Sequence, residues 1–138
     1  MRRRTLVSLD GKRIEIRWRD LDSLGHVNQA VYFTYVEEVV DEWMRRALQL
    51  AEGEVWDYVV ARAAVDYRTE LRLSDRAVVG TCRLVRVGRS SVTLRIELAA
   101  EDRHLAAEVE AVMVARDEAT RRSRPITDEE RARLEAAP

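Results

Sequence analysis

The sequence contains little of what marks a secreted, membrane-spanning or multidomain protein. Its only cysteine, Cys82, has no partner for an intramolecular disulfide, which argues against a disulfide-stapled secreted scaffold. With two prolines, five glycines and no repeat or low-complexity segment, no linker divides the chain, so one domain over residues 1–138 is expected. No run approaches the ~20 apolar residues of a spanning helix. Residues 5–10 hold no apolar run long enough for a signal peptide, so a cytoplasmic protein is expected.

Charge is abundant but balanced. Charged residues make up 36% of the chain and apolar residues 46%, with a formal net charge of −1 at pH 7. This composition is typical of a soluble globular domain. The balance gives no reason to expect nucleic acid or an anionic membrane as a partner. No His/Cys cluster has zinc-ligand spacing and no Gly-rich phosphate loop occurs, so neither a metal nor a cofactor is expected.

Hydrophobic periodicity predicts a strand, a polar loop and then a long helix. Residues 13–19 alternate, with Ile14, Ile16 and Trp18 on one face, as in a half-buried strand. A polar loop follows over residues 20–28. From about residue 29 to 51 the period becomes helical. The apolar stripe of this helix consists of Val36, Val39, Val40, Trp43, Ala47 and Leu50.

The remainder of the chain is mainly strand-like. Strands are predicted over residues 57–67, 77–87, 92–99 and 105–115, with turns at 88–90 and 101–103. The last three strands are joined by short turns and predict an antiparallel meander. A short C-terminal helix is predicted from residue 128, with Thr127 as N-cap and Glu130 completing a capping box. The fold class is therefore α+β, with a curved antiparallel sheet wrapped around one long helix.

The loop before the long helix combines groups that suit acyl transfer. Asp20 and Asp22 precede the helix, followed by Gly25, His26 and Asn28. A helix N-terminus offers unpaired N–H groups and partial positive charge, which stabilise a developing oxyanion. A carboxylate nearby can attack a carbonyl or activate water. The structural alternatives are equally physical: Asp22 as a loop residue bonded to local N–H groups, and Asn28 as a helix cap.

The segment from Trp18 to Glu38 resembles the signature of the 4-hydroxybenzoyl-CoA thioesterase-like family of hotdog proteins. The matching residues are Asp20-x-Asp22-x-x-Gly25-His26-Val27-Asn28, then Tyr32 and Tyr35-Val36-Glu37-Glu38. Weaker matches are Asp66-Tyr67-Arg68 with Leu71-Arg72 and Asp75, and the turn Gly88-Arg89-Ser90-Ser91. The resemblance covers about residues 12–116.

This resemblance implies a hotdog fold, a dimer that is often paired again into a tetramer, and hydrolysis of an acyl-CoA thioester at the subunit interface. Its catalytic aspartate falls on Asp22, as nucleophile or general base. The backbone N–H that polarises the thioester carbonyl falls at the helix start, near Gln29. Gly25 is expected to let the loop backbone approach the substrate. No cofactor is expected beyond the CoA moiety of the substrate.

Other site residues carry weaker expectations. Substrate contacts are expected from His26, Asn28, Tyr32, Arg89 and Ser90, the last two for CoA. Arg68 and Arg72 are further candidates for phosphate. For Asp20 a structural role is expected, and for Asn28 a cap or brace. Some hotdog thioesterases use a glutamate on the long helix in place of the loop aspartate, so Glu37 and Glu38 are outer candidates and are otherwise expected to be solvated or interfacial. The acyl pocket has four candidate residues, Val36, Trp43, Trp56 and Tyr58, although such side chains more often belong to the core. For Cys82 a small apolar position in a strand is expected, in preference to a nucleophile.

Three other functional classes remain open. A hotdog hydratase or dehydratase typically has proline after an asparagine, whereas Gln29 follows Asn28 here. A thioesterase acting on acyl-carrier protein needs a basic docking face. A non-catalytic acyl-CoA-binding module predicts saturable binding without turnover.

Overall fold

A computed structural model describes residues 11–101 and 105–138 of the chain. Its strands are β1 (Lys12–Glu15), β2 (Tyr58–Tyr67), β3 (Ala77–Val87), β4 (Ser91–Ala100) and β5 (Leu105–Ala115). Its helices are α1 (Val31–Ala47) and α2 (Asp128–Ala136). The expectations for the N-terminal ten residues and for the turn at Asp102 and Arg103 lie outside the described residues.

The five strands form one antiparallel sheet in the order β1-β3-β4-β5-β2. The meander of β3, β4 and β5 is confirmed, and their registers pair Gly80 with Leu98 and Ile96 with Val109. The predicted α+β class, a curved antiparallel sheet against one long helix, is confirmed as well. On its other side β5 pairs with β2, so β2 and β1 are the two edge strands.

The core lies between α1 and the inner face of the sheet. Among its fully buried residues, Leu94, Ile96 and Leu98 come from β4, and Val36, Val39 and Trp43 of α1 are each at most 6% exposed. Burying such side chains contributes about 1.5–3 kcal/mol each. The helix packs closely against β3 at Gly80, where an added Cβ would clash with the Val39 side chain.

The prediction that Trp18 continues the buried face of the first strand is wrong. Strand β1 ends at Glu15, and the Trp18 side chain is 79% exposed. The chain turns into a single 3-10 turn over Trp18–Asp20, because the Asp20 carboxylate accepts a hydrogen bond from the Arg17 N–H at 3.0 Å. Ile14 and Ile16 are buried as expected.

The long helix is shorter at both ends than its predicted range of 29–51. Its C-terminus closes in a Schellman motif, in which the Leu50 N–H donates to Arg45 O and the Gln49 N–H to Arg46 O. Gln49 takes the left-handed conformation, with φ of 55°. Glycine is the usual residue at that position, so the sequence signal pointed to Gly53 instead.

The C-terminal helix is confirmed with its predicted cap. Thr127 Oγ1 accepts from the Glu130 N–H at 3.1 Å, and Glu130 Oε1 accepts from the Thr127 N–H at 2.9 Å. Both Glu130 oxygens also accept hydrogen bonds from Arg124, at 2.7 and 2.8 Å, and one accepts from the Trp56 indole. These donors, Arg124 first, lower the pKa of Glu130 to about 2 despite its partial burial.

Strand β2 is largely exposed on both faces, unlike its neighbour β5. Val59, Val60 and Tyr67 are 42%, 52% and 48% exposed, and Phe33 on α1 is 40% exposed. An edge strand with apolar side chains presents unpaired backbone groups that other chains can pair with. No helix in residues 11–101 and 105–138 is long and apolar enough to cross a membrane.

Candidate active site

A cleft of about 420 Å³ lies beside the N-terminus of α1. One wall comes from the loop before α1, and the other from the end of β2 and the residues that follow it. The lining residues are Asp22, His26, Val27, Asn28, Gln29, Tyr32, Tyr67, Arg68, Thr69 and Glu70. The structure therefore brings together Asp22, Gln29 and three of the five expected substrate-binding residues, His26, Asn28 and Tyr32.

A tight turn shapes the loop around Asp22. The Asp22 N–H donates to His26 O at 2.9 Å, and the Gly25 N–H donates to Asp22 O at 3.1 Å. Gly25 has φ of 79°, a conformation that only glycine adopts readily. Gly25 is exposed and does not line the cleft, so its direct contact with substrate stays a prediction. The Val27 N–H donates to Leu71 O at 2.8 Å and fastens the loop to the segment after β2.

The Asp22 carboxylate has one oxygen engaged and one available. Oδ1 accepts a hydrogen bond from the Leu24 N–H at 2.9 Å. Within residues 11–101 and 105–138, Oδ2 has no hydrogen-bond donor from the protein. The side chain is half-buried and lines the cleft. One carboxylate oxygen therefore faces no competition from the described protein groups when a substrate or water approaches.

Asp20, two residues earlier, is 3% exposed and fully occupied. Its Oδ2 accepts from the Arg17 N–H at 3.0 Å and from the Tyr35 hydroxyl at 2.9 Å, and its Oδ1 lies 3.4 Å from Arg17 Nη2. Burial acts to raise the pKa of Asp20, but these donors outweigh it and hold that pKa below its ordinary value. The expected structural role of Asp20 agrees with these contacts.

The start of α1 is braced by Asn28. Its Oδ1 accepts from the Ala30 N–H at 2.9 Å, and its backbone oxygen accepts from the Val31 N–H at 2.9 Å. The helix begins at Val31, so Gln29 lies two residues before it. No acceptor among the described residues takes the Gln29 N–H. Asn28 thus has the bracing role considered for it, and Gln29 presents a free amide in the cleft wall.

Two tyrosines, one from α1 and one from the end of β2, meet in the cleft. The Tyr67 hydroxyl donates to Gln29 O at 3.0 Å, and its ring meets that of Tyr32 edge-on with centroids 5.0 Å apart. Tyr32 is 3% exposed, and burial raises the pKa of its phenol, so it stays protonated at neutral pH. Tyr67 fixes the peptide that carries the Gln29 carbonyl.

A group of charged side chains lies at the rim. Glu70 Oε2 is 2.7 Å from His26 Nε2, and Glu70 Oε1 accepts from Arg72 Nε at 2.8 Å and Nη2 at 2.6 Å. Arg68, another phosphate candidate, lines the cleft and pairs with Glu108 at 2.8 Å. Two cationic side chains are therefore at hand on this side, each already paired with a carboxylate.

Sequence reasoning gave no role to four lining residues: Val27, Tyr67, Thr69 and Glu70. Tyr67 belongs to one of the weaker matching segments but received no role, and Thr69 and Glu70 lie next to it. Their approach to the loop depends on the tertiary hydrogen bond from Val27 to Leu71, which no local pattern signals.

Other candidates lie away from the cleft. Arg89 and Ser90 form the turn between β3 and β4, at the opposite end of the sheet. The Ile126 N–H donates to Arg89 O and the Ala115 N–H to Ser90 O. Their expected contact with CoA cannot come from the same chain's cleft. The candidate acyl-pocket residues Val36, Trp43 and Trp56 are buried in the core, Tyr58 is half-buried, and Glu37 and Glu38 are exposed on α1.

A larger cavity, about 550 Å³, lies between α1, β3 and α2. It holds Cys82, whose thiol has its pKa raised to about 12 by burial. A protonated thiol is a poor nucleophile, which favours the expected strand role. Asp22 and Gln29 are absent from its walls, so size does not identify the reactive site. Across residues 11–101 and 105–138, no three His, Cys, Asp or Glu side chains are grouped to hold a metal ion.

Comparison with known proteins agrees with this fold. Residues 16–134 match the family model of the Thioesterase-like superfamily. The chain therefore belongs to the thioesterase-like superfamily, and the predictions of a hotdog fold and of a thioester hydrolase are confirmed. No curated protein matches the sequence significantly.

Solved structures give the same answer. A thioesterase from Thermus thermophilus, crystallised with coenzyme A and zinc, is 34% identical over 92% of each chain, with a TM-score of 0.78. A Xanthomonas campestris protein proposed to be an acyl-CoA thioesterase is 30% identical, covering 86% of this chain and 98% of its own, with a TM-score of 0.71. YbaW from Escherichia coli, proposed to be a thioesterase, is 25% identical over 92% of this chain and 97% of its own, with a TM-score of 0.77.

Proposed function

We propose that this protein hydrolyses the thioester of an acyl-CoA to a free acid and CoA, with Asp22 as the catalytic carboxylate and the Gln29 N–H as oxyanion donor. One observation carries the proposal: a single cleft contains an Asp22 oxygen without a protein donor and a Gln29 amide without a protein acceptor, among the described residues. The Asp22 oxygen can act as nucleophile or base, and the Gln29 N–H can stabilise the negative charge that develops on the carbonyl oxygen.

The chemistry needs little beyond these two groups. CoA leaves as a thiolate, which is a good leaving group, so strong acid assistance is unnecessary. Asp22 either attacks the carbonyl carbon, forming an anhydride that water then hydrolyses, or takes a proton from the water that attacks. In both routes the thioester C–S bond breaks and the carbonyl oxygen carries transient negative charge. The Gln29 N–H and the positive end of α1 stabilise that charge.

The direction of the Gln29 N–H is fixed by its neighbours. A trans peptide points its N–H opposite its C=O, and Asn28 O is held toward α1 by the Val31 N–H. The Gln29 N–H therefore points away from the helix. Tyr67 holds the following peptide through Gln29 O. A donor restrained on both sides needs little reorganisation during the reaction.

Coenzyme A is the favoured carrier of the acyl group. The Thermus thermophilus thioesterase was crystallised with coenzyme A, and it covers nearly the whole of this chain. Arg68 at the cleft and Arg72 beside it provide guanidinium groups suited to phosphates. An acyl-carrier-protein thioester is the second candidate, because the same two arginines also suit an acidic carrier surface.

The working unit in this proposal is a homodimer, paired again into a homotetramer. The exposed edge strand β2 and the exposed Phe33 of α1 support the binding of a second copy. Tyr58 and Tyr67 are nine residues apart along β2, roughly 30 Å at about 3.3 Å per residue. Antiparallel pairing of two β2 edges would bring the partner chain's turn with Arg89 and Ser90 toward the cleft of this chain.

The test is release of free thiol from a panel of acyl-CoAs with short, long and aromatic acyl groups, run beside the same acyl groups on carrier protein. Turnover on one acyl-CoA class supports the proposal and identifies the substrate class. Turnover on the carrier-protein thioesters alone favours the second candidate. Binding of acyl-CoA without release from any substrate contradicts hydrolysis and indicates a binding module.

A further inference from the structure

Glu70 joins two side chains at the rim of the cleft. One carboxylate oxygen lies 2.7 Å from His26 Nε2, and the other accepts two hydrogen bonds from Arg72, at 2.8 and 2.6 Å. Arg72 is only two residues from Glu70, so its guanidinium is a local brace, whereas His26 comes from the separate loop that holds Asp22. Glu70 was given no role by the sequence.

The distances determine which nitrogen of His26 carries the proton. The two N–H donors of the Arg72 guanidinium favour an ionised Glu70, and an ionised carboxylate only accepts hydrogen bonds. The 2.7 Å contact therefore requires a proton on His26 Nε2. The competing arrangement, in which Arg72 Nη2 donates to Nε2, has a separation of 3.5 Å and is much weaker. The neutral ring is thus the Nε2–H tautomer, and its Nδ1 is an acceptor.

His26 Nδ1 has no hydrogen-bond partner among the described residues. The ring is about one-third exposed and lines the same cleft as Asp22. The backbone also couples the two residues, because the Asp22 N–H donates to His26 O at 2.9 Å. His26 therefore has an unengaged acceptor nitrogen, on a side chain that lines the same cleft as Asp22.

We infer that Glu70, braced by Arg72, is a positioning residue that holds His26 as its Nε2–H tautomer, so that His26 Nδ1 accepts a hydrogen bond from the hydrolytic water. The inference rests on the proposed hydrolysis for its water, but the tautomer can be observed without turnover. Glu70 and Arg72 are both about half exposed, and ion pairs so exposed contribute little to stability. Loss of Glu70 is therefore expected to appear in catalysis more than in folding.

The first readout is the ring nitrogen spectrum of 15N-histidine-labelled protein. The chain has only two histidines, His26 and His104, so a His104→Gln variant assigns the spectrum. We expect wild-type His26, in its neutral form, to show a protonated Nε2 and an unprotonated Nδ1. Glu70→Ala is expected to give a mixture of tautomers. A protonated Nδ1 in the wild type, or an unchanged spectrum in Glu70→Ala, overturns the inference.

The second readout separates kcat from KM. Glu70→Ala is expected to lower kcat roughly 10- to 100-fold, less than the 10²–10⁴-fold expected for a group that transfers the proton itself, with KM nearly unchanged. Glu70→Gln, which keeps the shape and one acceptor, is expected to fall between wild type and Glu70→Ala. Glu129→Ala is the control, because it removes a 2.7 Å ion pair with Arg133 on α2, away from the cleft.

The outcomes distinguish this inference from the proposed function. An effect confined to KM, or an equal loss of kcat in Glu129→Ala, contradicts the positioning role. Full turnover in Asp22→Asn contradicts the proposed catalytic residue but leaves the His26 spectrum as an independent test. Loss of turnover in Asp22→Asn with normal kcat in folded Glu70→Ala overturns the inference alone.

Discussion

The two aspartates of the loop are two residues apart in sequence and lie in opposite environments. Asp20 is 3% exposed, and its carboxylate is taken up by the Arg17 N–H, the Arg17 guanidinium and the Tyr35 hydroxyl. Asp22 lines an open cleft, and one of its oxygens has no donor in the described part of the chain. Aspartate therefore has a structural role at position 20, whereas at position 22 it provides a carboxylate that is available to a ligand.

The difference follows from which face of the loop meets the core. Between the two aspartates Leu21 forms a bridge with Val27, so the side chains before and after it take different directions. Asp20 meets Tyr35 on the buried side of α1. Asp22 begins the turn that exposes Gly25. A carboxylate surrounded by donors is stabilised as an anion and unreactive, and one with a vacant oxygen can act on substrate.

The largest expected effect comes from removing the charge of the open carboxylate. Asp22→Asn is expected to lower kcat by roughly 10³-fold or more, because the amide is a poor nucleophile and a poor base. The Leu24 N–H retains an acceptor in the amide oxygen, so the urea unfolding curve is expected to stay close to wild type. Thiol-release kinetics and urea unfolding of the same sample check both parts. Wild-type turnover in the folded variant would contradict the assignment.

Removing the buried carboxylate is expected to act on stability. Asp20→Ala leaves the Arg17 N–H and the Tyr35 hydroxyl without their acceptor, which costs about 3 kcal/mol of unfolding free energy. Asp22→Ala is the matched control, with an expected loss within about 1 kcal/mol, the size of a single hydrogen bond. Urea unfolding measures both. Equal losses at the two positions would contradict the division of roles.

A smaller effect is expected from the partner of Asp20. Tyr35→Phe removes only the hydroxyl that donates to Asp20 at 2.9 Å, and a loss of about 1–2 kcal/mol is expected because the acceptor is charged. Tyr58→Phe is the control, since the Tyr58 hydroxyl makes no hydrogen bond within the described residues. Thermal or urea unfolding compares the two. A loss in Tyr58→Phe as large as in Tyr35→Phe would show that the bond to Asp20 is not the cause.

The smallest expected effect is a change in acid sensitivity. The pKa of Asp20 is lower in the folded protein than its ordinary value of 3.8, so its stabilisation is present above that value and is lost as pH falls through the lowered pKa. Glu130, with a pKa of about 2, contributes in the same direction. Asp20→Asn is therefore expected to flatten, without abolishing, the fall in stability below about pH 4. An unchanged pH profile in this variant would contradict the contribution of Asp20.

The sequence predicted elements wherever local alternation and core packing agree. Strands β3 and β5 match the predicted ranges of 77–87 and 105–115 residue for residue. In β5 alternate residues are buried, and β3 is rich in valine. The first strand was predicted too long, since Trp18 fits the alternation but the Asp20 cap turns the chain before it. The alternation of apolar and polar residues does not indicate such a cap.

The candidate site was predictable only where its residues lie in one local motif. The loop motif identified Asp22, Gln29 and His26, which the structure gathers in one cleft. Glu70 and Tyr67 were missed because only the tertiary contact between the loop and the segment after β2 brings them close. Arg89 and Ser90 are at the far end of the sheet, and their expected CoA contact depends on a second chain that the sequence of one chain does not place.

The most direct test of the central claim compares Asp22→Asn with Asp20→Asn in one assay, with thiol release from the best acyl-CoA normalised to the folded fraction of each protein. The account predicts that Asp22→Asn loses turnover at normal stability, and that Asp20→Asn retains most of its turnover per folded molecule while unfolding at lower urea. Loss of turnover per folded molecule in Asp20→Asn, with wild-type turnover in Asp22→Asn, would contradict it.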